Sequence, residues 1–119
     1  MALTKVRTAG IDYAGATFID TTNSGSITLD FGAYSNFVLT FTGNVTLANP
    51  TTESVGQSGV IICIQDGTGG RTLTLGTDYE TASGADVILS SSASAVDIVP
   101  YYVKASNSIM LGKIQRAFS

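Results

Sequence analysis

Residues 37–47 read Phe37-Val38-Leu39-Thr40-Phe41-Thr42-Gly43-Asn44-Val45-Thr46-Leu47, and their alternation decides the fold class. Phe37, Leu39 and Phe41 fall on one parity, and Val38, Thr40 and Thr42 on the other. Successive side chains of a strand point to opposite faces. A period of two therefore sends one set into a core and the other toward solvent or a second surface. Val45 and Leu47 resume the pattern after Gly43-Asn44, a pair suited to positive φ, so a tight turn is expected there.

The same signal extends outward from this stretch. On the N-terminal side Ile27, Leu29 and Phe31 alternate with Thr28 and Asp30, and a short strand is expected over Ala16 to Asp20. On the C-terminal side Val60-Ile61-Ile62-Cys63-Ile64 is apolar throughout. Its brevity and β-branched content fit a strand buried on both faces. Asp66-Gly67-Thr68-Gly69-Gly70 breaks the chain, Thr72 to Leu75 returns as a strand, and Val87-Ile88-Leu89 is another short apolar run. Ala95 to Lys104 and Ser108 to Ile114 form a final hairpin turned at Ala105-Ser106-Asn107. Pro100 has no N–H to donate, so it belongs at an edge or a bulge.

No window carries an i, i+3, i+4 apolar stripe with caps, so little or no helix is expected. Roughly seven or eight short strands separated by turn signals predict an all-β protein, a single antiparallel β-sandwich or barrel of jelly-roll type. Phe37, Leu39, Phe41, Ile62, Ile64 and Val103 are the expected core. Residues 1–15 differ from the rest, because Leu3, Val6 and Ile11 are spaced irregularly. They read as an extended N-terminal arm ordered by a partner, ahead of a sandwich domain over 16–119. Leu3, Lys5, Val6, Arg7 and Ile11 are the candidate interaction residues.

Composition narrows the function. The 119 residues suit one domain. Charged residues make up 13% of the chain, about half the usual share. The net charge is -3, and the six basic residues (Lys5, Arg7, Arg71, Lys104, Lys113 and Arg116) are dispersed. A nucleic-acid partner is not expected, since it would need a basic stripe to displace phosphate counterions. No stretch approaches the ~18 apolar residues of a membrane helix, so no membrane partner is expected either. Residues 1–7 lack an apolar signal-peptide core, which places synthesis and folding in a reducing cytoplasm. Cys63, the only cysteine, reads as a buried, inert thiol.

Catalytic chemistry has little to work with. Histidine is absent, which removes the usual general base, the Ser-His-Asp and Cys-His arrangements and the commonest transition-metal ligand. Nine carboxylates are present, but sugar-cleaving clefts also use aromatic platforms, and tryptophan is absent. The glycines of 66–70 lack the lysine and Ser/Thr of a phosphate loop. They also lack the distal glutamate of a calcium loop, so a plain turn is expected. Asn44-Val45-Thr46 matches a glycosylation sequon that has no meaning without secretion. Tyr101-Tyr102 places adjacent aromatics on opposite faces, one in the core and the other at a surface. No enzyme activity, cofactor or metal is expected.

Residues 37–50, ending Ala48-Asn49-Pro50, resemble a recurring segment of tailed-bacteriophage virion proteins. So do Gly56-Gln57-Ser58-Gly59-Val60 leading into Ile64-Gln65-Asp66-Gly67-Thr68-Gly69-Gly70-Arg71-Thr72-Leu73, and Ala95-Val96-Asp97 followed by Tyr101-Tyr102-Val103. The resemblance covers roughly residues 36–119. It implies a β-rich capsid decoration protein or a piece of a tail fibre, commonly trimeric, with no catalytic residues to carry over. The chain has no shaft and no heptads, which favours a head decoration (cement) protein. Such a protein would bind the major capsid protein or another virion protein and stabilise the assembled lattice by mass action. The other reading is a tail-fibre or receptor-binding module that recognises host surface glycans. The abundant serine and threonine of the outward strand faces lose less on desolvation than charges do, which suits packing into a homotrimer.

Overall fold

Strand β1 (Thr17–Ile27) lies parallel to β2 (Asn36–Leu47) along nearly all of its length, with Thr17 opposite Asn36 and Ile27 opposite Leu47. The computed structural model describes residues 16–119. The arm expected over 1–15, with Leu3, Lys5, Val6, Arg7 and Ile11, lies outside the described residues. On its other edge β2 pairs in parallel with β3 (Ser58–Gln65) over its first half and with the short β4 (Leu73–Leu75) over its second. Strand β3 continues antiparallel to β6 (Val96–Ala105). The far edge of β6 meets β8 (Gln115–Phe118) near its start and β7 (Ser108–Leu111) near its end, both antiparallel. Strand β5 (Tyr79–Glu80) closes the order, parallel to β7.

The all-β class holds, and its realisation is one curled, mixed sheet in the form of a half-barrel. Parallel ladders stand where antiparallel hairpins were expected. The connections β1–β2 and β2–β3 are long enough to return the chain to the same end, which a tight hairpin turn does not do. The curl follows from one connection. Strand β4 sits beside β2, whereas β5 sits at the opposite end of the order. Only Gly76, Thr77 and Asp78 separate them, so Leu75 and Tyr79 lie within about 14 Å of each other. A flat sheet could not place its second and last strands so close.

Odd-numbered residues face inward on β2: Phe37, Leu39, Phe41, Val45 and Leu47 are all buried. They meet Ile61 and Cys63 of β3, Val99, Tyr101 and Val103 of β6, and Ile109 and Leu111 of β7. Phe31, from the β1–β2 connection, packs edge-on against Phe37 and Tyr101, each with ring centroids 5.2 Å apart. The Tyr101 hydroxyl donates to the Ser35 carbonyl at 2.7 Å, while Tyr102 points outward and is 50% exposed.

Two expectations need correction. Ile62 and Ile64 are only half-buried, and the inward set of β3 is Ile61, Cys63 and Gln65. The run 60–64 is apolar at every position, so period two has no purchase on it, and the polar Gln65 sets the parity. Its amide donates to the carbonyls of Arg71 and Ser90 and accepts from the Arg71 N–H, all at 2.9 Å, which compensates the buried polar group. The second correction concerns Gly43-Asn44, which lies inside β2 and makes no turn. A Cβ at residue 43 would come within 2.7 Å of Ser24 Cβ on β1, so glycine permits the close approach. The Asn44 side chain accepts from the Thr72 N–H at 3.1 Å and ties β2 to the start of β4.

Pro100 sits where the second neighbour of β6 changes from β7 to β8. The Pro100 carbonyl accepts from Gly112 N–H at 2.8 Å, and Gly112 lies just beyond β7. The N–H and C=O of one strand residue face the same side, so the missing donor falls opposite Gly112, beyond the end of β7, and the ladder to β3 is spared.

Candidate functional site

After β5 the chain runs from Thr81 to Ala95 with one turn of 3₁₀ helix (Ala82–Gly84) as its only regular element. A structureless connection of that length is unusual in a compact domain and commonly carries function. Here it faces β4 and the Gly76–Asp78 turn across an open cleft of about 1050 Å³.

The cleft wall is rich in hydroxyls, contributed by Thr72, Thr74, Thr77, Thr81, Ser83 and Ser91. Two of these are committed: Thr77 Oγ1 accepts from Asn49 Nδ2 at 2.9 Å, and Thr81 Oγ1 donates to the Ala85 carbonyl at 2.6 Å. Among the described residues the other four hydroxyls make no hydrogen bond within the chain. Leu73, Leu75, Val87 and Leu89 add half-buried apolar surface along the cleft, and Ile88 is exposed there. A smaller concavity of about 250 Å³ backs onto the same segment and is lined by Asp86, Leu111, Lys113 and Ile114, among others.

Polar side chains bound to backbone hold the cleft open. Asp97 is 1% exposed, opposite Cys63 on β3. One carboxylate oxygen accepts from Ser90 N–H at 2.7 Å; the other accepts from Ser90 Oγ at 2.8 Å and from Ala117 N–H at 2.9 Å. A buried carboxylate with three donors is compensated, and it staples the loop and β8 to the barrel. Burial, reinforced by the Asp97 charge, pushes the Cys63 thiol up to about 12, so it stays protonated and unreactive. Gly69 approaches so closely that a Cβ there would lie 2.5 Å from the Ser91 carbonyl, and its φ of 76° suits glycine. Gly70 N–H then donates to that carbonyl at 2.8 Å.

The 66–70 segment is a turn made by its own aspartate. Asp66 Oδ1 accepts from Thr68 N–H at 3.1 Å and Gly69 N–H at 3.0 Å, and Arg71 Nη2 lies 2.9 Å from Oδ2. The Arg71 hydrogen bond, with the Gly69 N–H next in effect, holds the Asp66 carboxyl down at about 2. Among the described residues no three His, Cys, Asp or Glu side chains cluster to hold a metal.

A second surface lies on the outer face of the sheet. Tyr102 and Met110 are cross-strand partners on β6 and β7, 50% and 46% exposed. They are bordered by the Lys104–Glu80 ion pair at 3.2 Å.

The expected interaction residues, Leu3, Lys5, Val6, Arg7 and Ile11, lie outside the described residues. The cleft was missed from sequence because no motif marks it. Its available signal was the length of the stretch 81–95 and its Ser/Ala/Gly content, with threonines spaced along 72–81.

Residues 21–104 match the family model described as "Putative phage tail fibre C-terminal domain". The matched span contains β2 to β5, nearly all of β6 and every residue lining the larger cleft. No curated protein and no solved structure matches the chain.

Proposed function

The chain belongs to the phage tail fibre C-terminal domain family, and we propose that it forms the receptor-facing end of a fibre, holding host surface glycan in the cleft of 70–91. Membership makes it a virion structural protein of the phage. Of the two virion roles expected from sequence, the fibre fits the family description better than head decoration does.

The observation that carries the glycan reading is the cleft itself. It is a concavity of about 1050 Å³ inside the family-matched span, with unspent hydroxyls and half-buried apolar side chains in its lining. Sugars present the same two kinds of surface, rings of hydroxyls around apolar C–H faces. Ligand sites are generally concave, with a few placed polar groups on an apolar lining. The rest of the reading follows from the same chemistry. The chain acts by binding, without turnover and without a cofactor. It assembles with itself as a homotrimer and with other virion proteins, and it engages neither nucleic acid nor membrane. The exposed Tyr102–Met110 pair supports the self-association, because such apolar surface commonly marks an interface.

Gold-labelled antibody against the chain should decorate the tail of intact virions, and the free chain should compete with virions for adsorption to host cells. Thr74→Trp, which fills the cleft from an exposed strand position, should abolish that competition while leaving the fold intact. Labelling confined to the head, or full competition by the tryptophan variant, would overturn the reading.

A further inference from the structure

Strand β3 is apolar at every position from Val60 to Ile64, yet the core takes only Ile61 and Cys63 from that run. A strand of such composition suits burial on both faces. The pairing shows what the second face builds. Ile19, Val38, Ile62 and Ile98 are successive cross-strand partners on β1, β2, β3 and β6, so they form one row across four strands. The next row carries Thr40, Ile64 and Val96, and Val96 pairs with Phe118 of β8. On the other side of the first row Val60 pairs with Pro100, and one row further Tyr102 pairs with Met110. Side chains alternate along a strand, and on β2, β3 and β6 these have the parity opposite the core. None of them is among the residues packed against the core. Ile19 is 67% exposed and Phe118 49%.

We infer that copies of this chain meet through the outer face of β1, β2, β3 and β6; this rests on the self-association in the reading above. The area is of the right order. With strands about 4.8 Å apart and alternate residues about 6.7 Å apart, the field covers roughly 19 Å by 20 Å, or about 400 Å². A standard interface takes about 800 Å² from each partner, so the field supplies an apolar centre of about half that size. Asn36, Ser58 and the Lys104–Glu80 ion pair stand at its polar margin. The charge pattern points to a second copy as the occupant. The outward positions of β2 from Asn36 to Thr42, of β3 from Ser58 to Ile64 and of β6 from Val96 to Tyr102 carry no charged residue, although the chain has a net charge of -3. Identical faces turned to a common axis bring like residues together, so a charged face would repel its own copy and this one does not. An extended sheet face is also unlike the concave sites that take small ligands. None of the field's residues lines either concavity. Assembly therefore leaves each cleft open, and a trimer presents three of them to one host surface.

The test uses the full chain. Sedimentation equilibrium at micromolar concentrations should find three times the mass of one chain. Ile62→Lys puts a charge in the middle of the field and should yield single chains with an unchanged circular dichroism spectrum. Ile98→Thr keeps the β-branched shape and should weaken association at least about tenfold, the effect of losing one well-buried apolar side chain. In the unmodified assembly the Ile62 and Ile98 methyl signals should be shielded from a soluble paramagnetic agent. The methyl signals of Ile88, exposed in the cleft, should be broadened by it. The shielding measurement needs no substitution, so it decides the question even where Ile62→Lys does not fold. Single chains at every concentration would overturn the self-association and the face together. A trimer that survives both substitutions, with Ile62 and Ile98 broadened as strongly as Ile88, would overturn the face and leave the self-association standing.

Discussion

The two halves of this molecule are held together by different chemistry. Along β2 the inward side chains Phe37, Leu39, Phe41, Val45 and Leu47 are apolar and buried, and the order comes chiefly from alternation. Around the cleft the chain from Gly69 to Ala95 has little apolar density. Its order comes from polar side chains bonded to backbone: Gln65 to Arg71 and Ser90, Asp97 to Ser90, Asn49 to Asp78, Asn44 to Thr72. A strand framework needs only period two, whereas a long connection must have each of its backbone groups met individually. The second kind of order leaves hydroxyls unspent and a concavity unfilled, which is where binding becomes possible.

The contrast can be broken from either side. Phe37→Ala or Phe41→Ala removes a fully buried ring from the framework and should cost about 3–5 kcal/mol in denaturant unfolding. Asp97→Ala leaves three donors without their acceptor and should cost about 2–3 kcal/mol. It should also raise amide exchange at Ser90 and Ala117 more than at β2. If exchange rose equally in both places, the cleft segment would not be separately pinned. A smaller effect comes from Asp66. Its carboxyl lies near 2, against 3.8 ordinarily, because Arg71 and the Gly69 N–H favour the charged form. A depressed folded-state value means that the contribution is fully present above about pH 4 and is lost as pH falls toward 2. Acid titration of Asp66→Asn beside the unmodified chain should show that interval flattened. The smallest effect is expected outside both regions: Met110→Ala, at an exposed position, should shift stability within about 0.5 kcal/mol.

The framework was readable from sequence to the degree that its strands alternate. The core positions of β2, the burial of Val103 and the division of Tyr101 from Tyr102 all follow from parity. Strand β3 resisted because Ile61 and Ile62 look alike to any hydropathy argument, and only the hydrogen bonds of Gln65 decide which faces inward. The Gly43-Asn44 pair misled because glycine and asparagine serve close approach and side-chain bridging as well as turns. Leu29 and Phe31 were recognisable as buried residues, but they lie in the connection after β1 and not in a strand. The parallel ladders depend on which strands meet across long connections, which no local pattern encodes. The cleft was illegible for the same reason: Thr72 and Ser91 line one cleft only once the fold has brought Gly70 against Ser91.

The central claim is that the connection after β5 has been shaped into a glycan-binding cleft. Amide chemical-shift mapping of the isotopically labelled chain, titrated with polysaccharide from a bacterium to which it adsorbs, tests this most directly. The account predicts perturbations concentrated in residues 72–91, with β2 and the outer Tyr102–Met110 face unmoved. Perturbations centred on Tyr102 and Met110, or none at saturating polysaccharide, would contradict it.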